Sequence, residues 1–262
     1  MPDLGAGDER FRDDHGEADP AVAAALTAFA AGTGSEHAVL TALAGGRLLV
    51  PVLAVLADEL TGPAVPGRPA AGGAVAHGTG QPGHVPSHAA TPGGDKASEM
   101  AMPVIVGRDG RRALPAFSCA GALRLWKPDG RPVPVPAAGV WQAAVDESCA
   151  VIIDIAGPVP LAVEGSRLAA LAAGAPPPAL HEDPDVWQVA AATAAEFAPG
   201  IRVKLSAPRG GLDFTLELAP PEGSRAPVPD RAASQIGDAV TDRLAGRARC
   251  GIAVLVRPPQ LE

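Results

Sequence analysis

Apolar residues recur along this chain with two different periods, and the changes of period mark out its elements. Val22, Leu26 and Phe29 step at helical intervals behind Asp19-Pro20, a good helix start because proline pre-sets φ and the first turn needs no donor from it. Val39, Leu40 and Leu43 form a second stripe between Ser35 and Gly45. Arg47 to Leu56 reads as a β-type run, in which Pro51 predicts an edge or a bulge. Beyond residue 100, Met102-Pro-Val-Ile-Val and Arg111-Arg-Ala-Leu-Pro-Ala-Phe flank Asp109-Gly110, a hairpin turn that uses the positive φ open to Gly110. Ser118 stands where a helix N-cap belongs, Cys119, Leu123 and Trp126 then share a face, and Pro128 stops the helix.

The second half repeats these signals. Pro132-Val-Pro-Val-Pro is extended and polyproline-like, and Gly139 to Glu147 predicts a short helix carrying Trp141 and Val145. Ala150-Val-Ile-Ile-Asp-Ile is a strong strand closed by Gly157-Pro158. Val159 to Val163 is extended, and a helix with Leu168 and Leu171 ends at Gly174. Asp183-Pro184 opens another capped helix with Val186, Val189, Thr193 and Phe197 inward. Arg202 to Ser206 and Leu212 to Leu218 alternate around Gly210-Gly211, the pattern of a hairpin with one wet face. A last helix, capped by Asp230, presents Ile236, Val240 and Leu244, and Gly251 to Val256 is the final strand.

This order predicts an α/β protein of the α+β mixed-sheet kind, with an N-terminal domain and a smaller α-β-β-α-β C-terminal domain. The expected divisions are a flexible tail over 1–19, a first domain over 20–174 with a disordered Gly/Pro-rich insertion at 61–98, a linker at 175–183 and a second domain over 184–258. Three consecutive prolines, Pro176 to Pro178, place the linker.

Composition narrows the function classes. Apolar residues make up 47% but aromatics only 3%, so the core must rest on Ala, Val and Leu. A net charge of −8 with no basic run beyond Arg111-Arg112 speaks against nucleic acid, because phosphate neutralisation needs a clustered basic face. The longest apolar run, Leu48 to Ala57, is too short to span a bilayer, and the acidic start has no secretory h-region. Cys119, Cys149 and Cys250 lie far apart and suit a reducing cytoplasm.

Gly46-Arg-Leu-Leu-Val-Pro-Val, Met102-Pro-Val-Ile-Val, Leu114-Pro-Ala-Phe-Ser and Ala122-Leu-Arg-Leu-Trp together resemble the SseB family of bacteria. Val151-Ile-Ile-Asp-Ile-Ala-Gly-Pro resembles that family's strand and turn, with Asp154 and Ile155 departing from its pattern. The resemblance spans roughly Val22 to Leu171 and implies a cytoplasmic protein with no established enzymatic activity and no settled cofactor. The family name is attached to serine sensitivity in one usage and to type III secretion in another. The second carries little weight, since no long membrane-seeking helix is present.

Candidate chemistry is sparse. Cys119 sits after a strand at a helix start, where a dipole favours thiolate, but no particular histidine is placed as its base; a small apolar filler is the simpler reading. His77, His84 and His88, with Asp95, have ligand chemistry but lie among Gly and Pro that forbid a rigid site. Asp154 ends a strong strand, a common functional position, yet a lone carboxylate more often forms a turn. Trp126 and Trp141 are expected in the core before an interface. No dinucleotide, Walker or Gly-x-Ser-x-Gly motif occurs. The reading is a non-enzymatic protein-interaction or regulatory module with another protein as partner and no catalytic, cofactor-binding or metal residues. Small-ligand sensing, related to amino acids, in an interdomain cleft and a thiol enzyme using Cys119 are the alternatives.

Overall fold

The computed structural model describes residue 11, residues 13–52 and residues 103–259. The insertion at 61–98 and the His77, His84, His88 and Asp95 cluster lie outside them. Helix α1 (Pro20–Ala30) begins as its sequence demands, with the Asp19 carboxylate accepting from Ala21 N and Val22 N. Helix α2 (Glu36–Ala44) is capped by Ser35 and buries Val39, Leu40 and Leu43.

Strand β1 (Arg47–Val52) pairs antiparallel with β4 (Arg131–Pro136). Ala137 N donates to Gly46 O, so the backbone groups of Val133 and Val135 also face β1. Pro132, Pro134 and Pro136 then fall on the outer side, where no donor is missed. The polyproline-like run is therefore a ladder strand. Pro51 likewise points away from β4, on the side where Leu49 exchanges two hydrogen bonds with Phe117.

A four-stranded sheet has the order β2-β3-β5-β6, with β2 at Ile105–Val106, β3 at Arg112–Ala116, β5 at Ala150–Ile153 and β6 at Leu161–Val163. The β2–β3 hairpin turns through Gly110 at φ 80°, and β3 runs parallel to β5. Helices α3 (Ala120–Trp126) and α4 (Ala137–Asp146) lie between those two strands in sequence, and α5 (Gly165–Ala172) follows β6. The main core joins α1, α2, α4 and α5 to the sheets around the fully buried Trp141. On the other side of β1, Leu49, Phe117 and Leu123 form a smaller cluster against which Trp126 packs, its ring 5.5 Å from that of Phe117.

After residues 175–183 come α6 (Pro184–Phe197), β7 (Arg202–Ser206), β8 (Phe214–Ala219), α7 (Asp230–Arg243) and β9 (Ile252–Val256), in the expected order α-β-β-α-β. The sheet order is β7-β8-β9, with β8 antiparallel to β7 and parallel to β9. Phe214, Leu216 and Leu218 face α6 and α7 in a second core.

Several local expectations change. Pro229, not Asp230, is the N-cap residue of α7. Phe197 is exposed because Ala190 and Ala194 take the inward row, and Val145 is also exposed. The supposed wet face of the hairpin is covered at Glu217, which accepts from Ser206 and Arg257 and is buried.

Candidate functional site

The carboxyl ends of the parallel strands β3 and β5 bring Ser118, Cys119 and Asp154 together, the position where α/β sheets commonly carry function. Asp154 follows β5 at φ 49°, a conformation aspartate tolerates better than most residues. Its amide donates to Ala116 O at 3.0 Å, and its carboxylate accepts from Ser118 N at 2.8 Å and Ser118 Oγ at 2.6 Å. Only 7% exposed, the Asp154 carboxyl is pushed up by burial, against the pull of the two Ser118 bonds. A side chain at Gly157 would press on Asp154 O at 2.9 Å, so this turn needs glycine.

Ser118 is thereby taken up by Asp154, and the cap of α3 shifts one residue on. Cys119 adopts the extended cap conformation, and its sulfur accepts from Ala122 N at 3.4 Å. Arg47 closes the neighbourhood. Its guanidinium donates to Ser118 O at 2.8 Å, to the Asp14 carboxylate and to Glu17 O. Asp14 is held below the usual carboxylate range chiefly by its hydrogen bond from Arg47. Residues 14–17, within the stretch expected to be a flexible tail, are thus tied down, with Ala120 N also donating to Gly16 O.

A second ionic group lies between the two cores. Glu36, 2% exposed, pairs with Arg167 and, at 2.9 Å, with Arg247, which also holds Asp183. Asp183 caps α6 through Asp185 N at 2.8 Å and accepts from Ser166 Oγ at 2.6 Å. Asp185 reaches back to accept from Ser166 N at 2.8 Å in the first turn of α5. That approach depends on Gly165, at φ 62°, where an added Cβ would sit 2.1 Å from an Asp185 oxygen.

The same seam extends to Arg249, which donates to Phe29 O and Ala30 O with its guanidinium 5.5 Å from the centre of the Phe29 ring. Burial pushes the Glu36 carboxyl up against the attraction of Arg167 and Arg247. Burial also works upward on Asp183, but the bonds from Ser166 and Arg247 outweigh it and hold that carboxyl low.

Glu36, Arg167, Asp183 and Arg247 were not singled out in the sequence as a group. The signal was present in part: Glu36 stands on the same helical face as Val39, Leu40 and Leu43, and a charge within an apolar stripe needs a buried partner. Across the molecule, Asp213 repeats the Asp154 device at the amino ends of β8 and β9, accepting from Cys250 N at 2.6 Å. Burial raises the Asp213 carboxyl, and burial raises the thiols of Cys149 and Cys250.

The sheet edges differ in how they are closed. β2 and β6 are very short, and β4 turns three prolines outward. On β7, Trp187 Nε1 donates to Val203 O at 3.4 Å, and Arg202 and Lys204 add charge. β9 carries neither charge nor proline from Ile252 to Val256. Gly251 O and Arg257 N bond to β8, so the alternating backbone groups of Ile252, Val254 and Val256 face outward. Beside that edge a groove of about 470 Å³ runs between β9 and α7, lined by Asp230, Ala233, Gly237, Asp238, Ile252 and Val254 among others.

Among the described residues no cluster of His, Cys, Asp and Glu could hold a metal ion, and no helix is long and apolar enough to cross a membrane. The architecture is that of a mixed α/β protein whose parallel pairs are each latched by a buried aspartate. The family described as SseB protein N-terminal domain matches residues 22–170, more than half of the chain, and the chain belongs to the SseB family. No curated protein and no solved structure matches it.

Proposed function

We propose that this SseB-family chain is a protein-interaction module of the cytoplasm without catalytic activity of its own, its two cores corresponding to two domains. The observation that carries the reading is the edge of β9, an apolar strand with outward backbone groups, whereas the other sheet edges among the described residues are short, proline-bearing or charged. The buried ionisable groups fit the same reading. Asp154 and Asp213 latch backbone, Glu36 and Asp183 bind arginines, and the Cys119 sulfur serves as a helix cap.

The test is a quantitative capture from host lysate on the tagged full chain, followed by reconstitution with the purified captured protein. A saturable complex near one-to-one is expected. Absence of any protein retained above a tag-only control defeats the interaction reading.

A further inference from the structure

We infer that the open edge of β9 takes an extended, basic segment of a partner protein, with an apolar side chain of that segment covering Val254. The inference rests on the interaction reading above and specifies its partner. Two observations define the occupant.

The first is the edge itself. Ile252, Val254 and Val256 turn outward N–H and C=O groups that have no backbone partner among the described residues, and an added strand would satisfy them as a fourth member of the sheet. Their side chains share the face of Phe214, Leu216 and Leu218, under α7, yet Val254 remains 40% exposed. Gly237 lets α7 approach it closely, since a Cβ there would come within 2.6 Å of Val254 Cγ2. An apolar side chain on the incoming strand completes the cover over Val254.

The second is charge. The charged residues lining the groove are Asp230 and Asp238, and neither has an ion-pair partner among the described residues. They stand on α7 eight residues apart, a rise of about 12 Å along a helix. An incoming strand that carries lysine or arginine on the α7 face therefore meets uncompensated negative charge along this rim. A second copy of β9 does not answer this pattern, because pairing about a twofold axis would bring the acidic rim of α7 towards its own duplicate.

The probe is a fluorescein-labelled peptide, Thr-Thr-Lys-Thr-Val-Thr-Lys-Thr-Thr, titrated against the full chain by fluorescence anisotropy. Saturable binding is expected, with affinity falling at least about tenfold when both lysines are replaced by glutamate. Val254→Pro removes an outward donor without touching the β8 ladder and should abolish binding, its folding checked by thermal melting.

The Asp230→Lys/Asp238→Lys variant should reverse the order of the lysine and glutamate peptides. Binding that ignores peptide charge, or survives unchanged in both variants, overturns the assignment. A concentration-dependent dimer that Val254→Pro dissociates overturns it too, since the edge would then belong to a second copy. A lysate partner retained equally by Val254→Pro defeats the β9 assignment while leaving the interaction reading standing; no lysate partner at all defeats that reading itself.

Discussion

Replacing Arg247 by alanine removes a guanidinium shared by two carboxylates, Glu36 and Asp183, whose side chains are 2% and 0% exposed. Taking one partner from a buried ion pair costs about 3–5 kcal/mol, because the remaining charge stays out of water without compensation. Here Glu36 keeps Arg167, and Asp183 keeps Ser166 Oγ and Asp185 N, so the loss belongs at the lower end, about 3 kcal/mol. For a chain of this size that corresponds to a fall in Tm of about 6–12 °C.

The pH dependence distinguishes lost charge from lost packing. Asp183 has a depressed folded pKa, so its contribution is fully present above the unfolded value, about 3.9, and is lost as pH falls through the folded one. Without Arg247, the burial that raises Glu36 is opposed by Arg167 alone, and Asp183 loses an interaction that holds it low. Acid then stabilises the variant relative to the parent. Urea unfolding of both proteins between about pH 7 and pH 4 should therefore show the difference shrinking as pH falls. A difference that stays constant over this range would mean that Arg247 acts through its packed stem and that the electrostatic account of the seam is wrong.

Asp154→Asn keeps an acceptor for Ser118 N while deleting the buried charge. Because the folded Asp154 pKa is raised, its favourable contribution is present at and below the unfolded value and fades as pH rises through the folded one. The stability of the variant should decline less than the parent's over that rise, and superimposable pH profiles would refute the effect. Gly165→Ala combines a positive φ with a clash against Asp185 and should destabilise by about 2 kcal/mol or more, measured by denaturant midpoint; a neutral result would show that the α5–α6 contact relaxes freely. Cys119→Ser preserves a cap acceptor, so stability should change by less than about 1 kcal/mol and any partner binding should persist. Loss of a measurable activity in that folded variant would restore the thiol-enzyme alternative.

What could be read from the chain was local, and what could not was set by distant partners. Asp19-Pro20 and Asp183-Pro184 announce helix starts because the cap bonds lie within three residues, and the β2–β3 turn is written in Asp109-Gly110. Ser118 was misplaced as a cap since its competing partner, Asp154, is 36 residues away. The prolines of β4 suggested a solitary extended run, because their outward side is defined only once Ala137 binds Gly46. Asp154 was visible as a strand-end carboxylate, whereas its inversion of the backbone was not. The Glu36–Arg167–Arg247–Asp183 group joins four separate segments, and a stripe containing one charge discloses the need for a partner without naming it.

The span of that group also orders events in time. Glu36 and Arg247 are 211 residues apart in the chain. At about 5–20 residues per second, synthesis leaves α2 waiting roughly 10–40 s for its second arginine. During that interval Glu36 has at most Arg167, and Phe29 O and Ala30 O lack the donors that Arg249 later supplies. The seam can close only once Arg247 and Arg249 have been made. A chain that stops before Arg247 would therefore carry both sets of apolar stripes without the clasp between them, a species marked for chaperones and proteases.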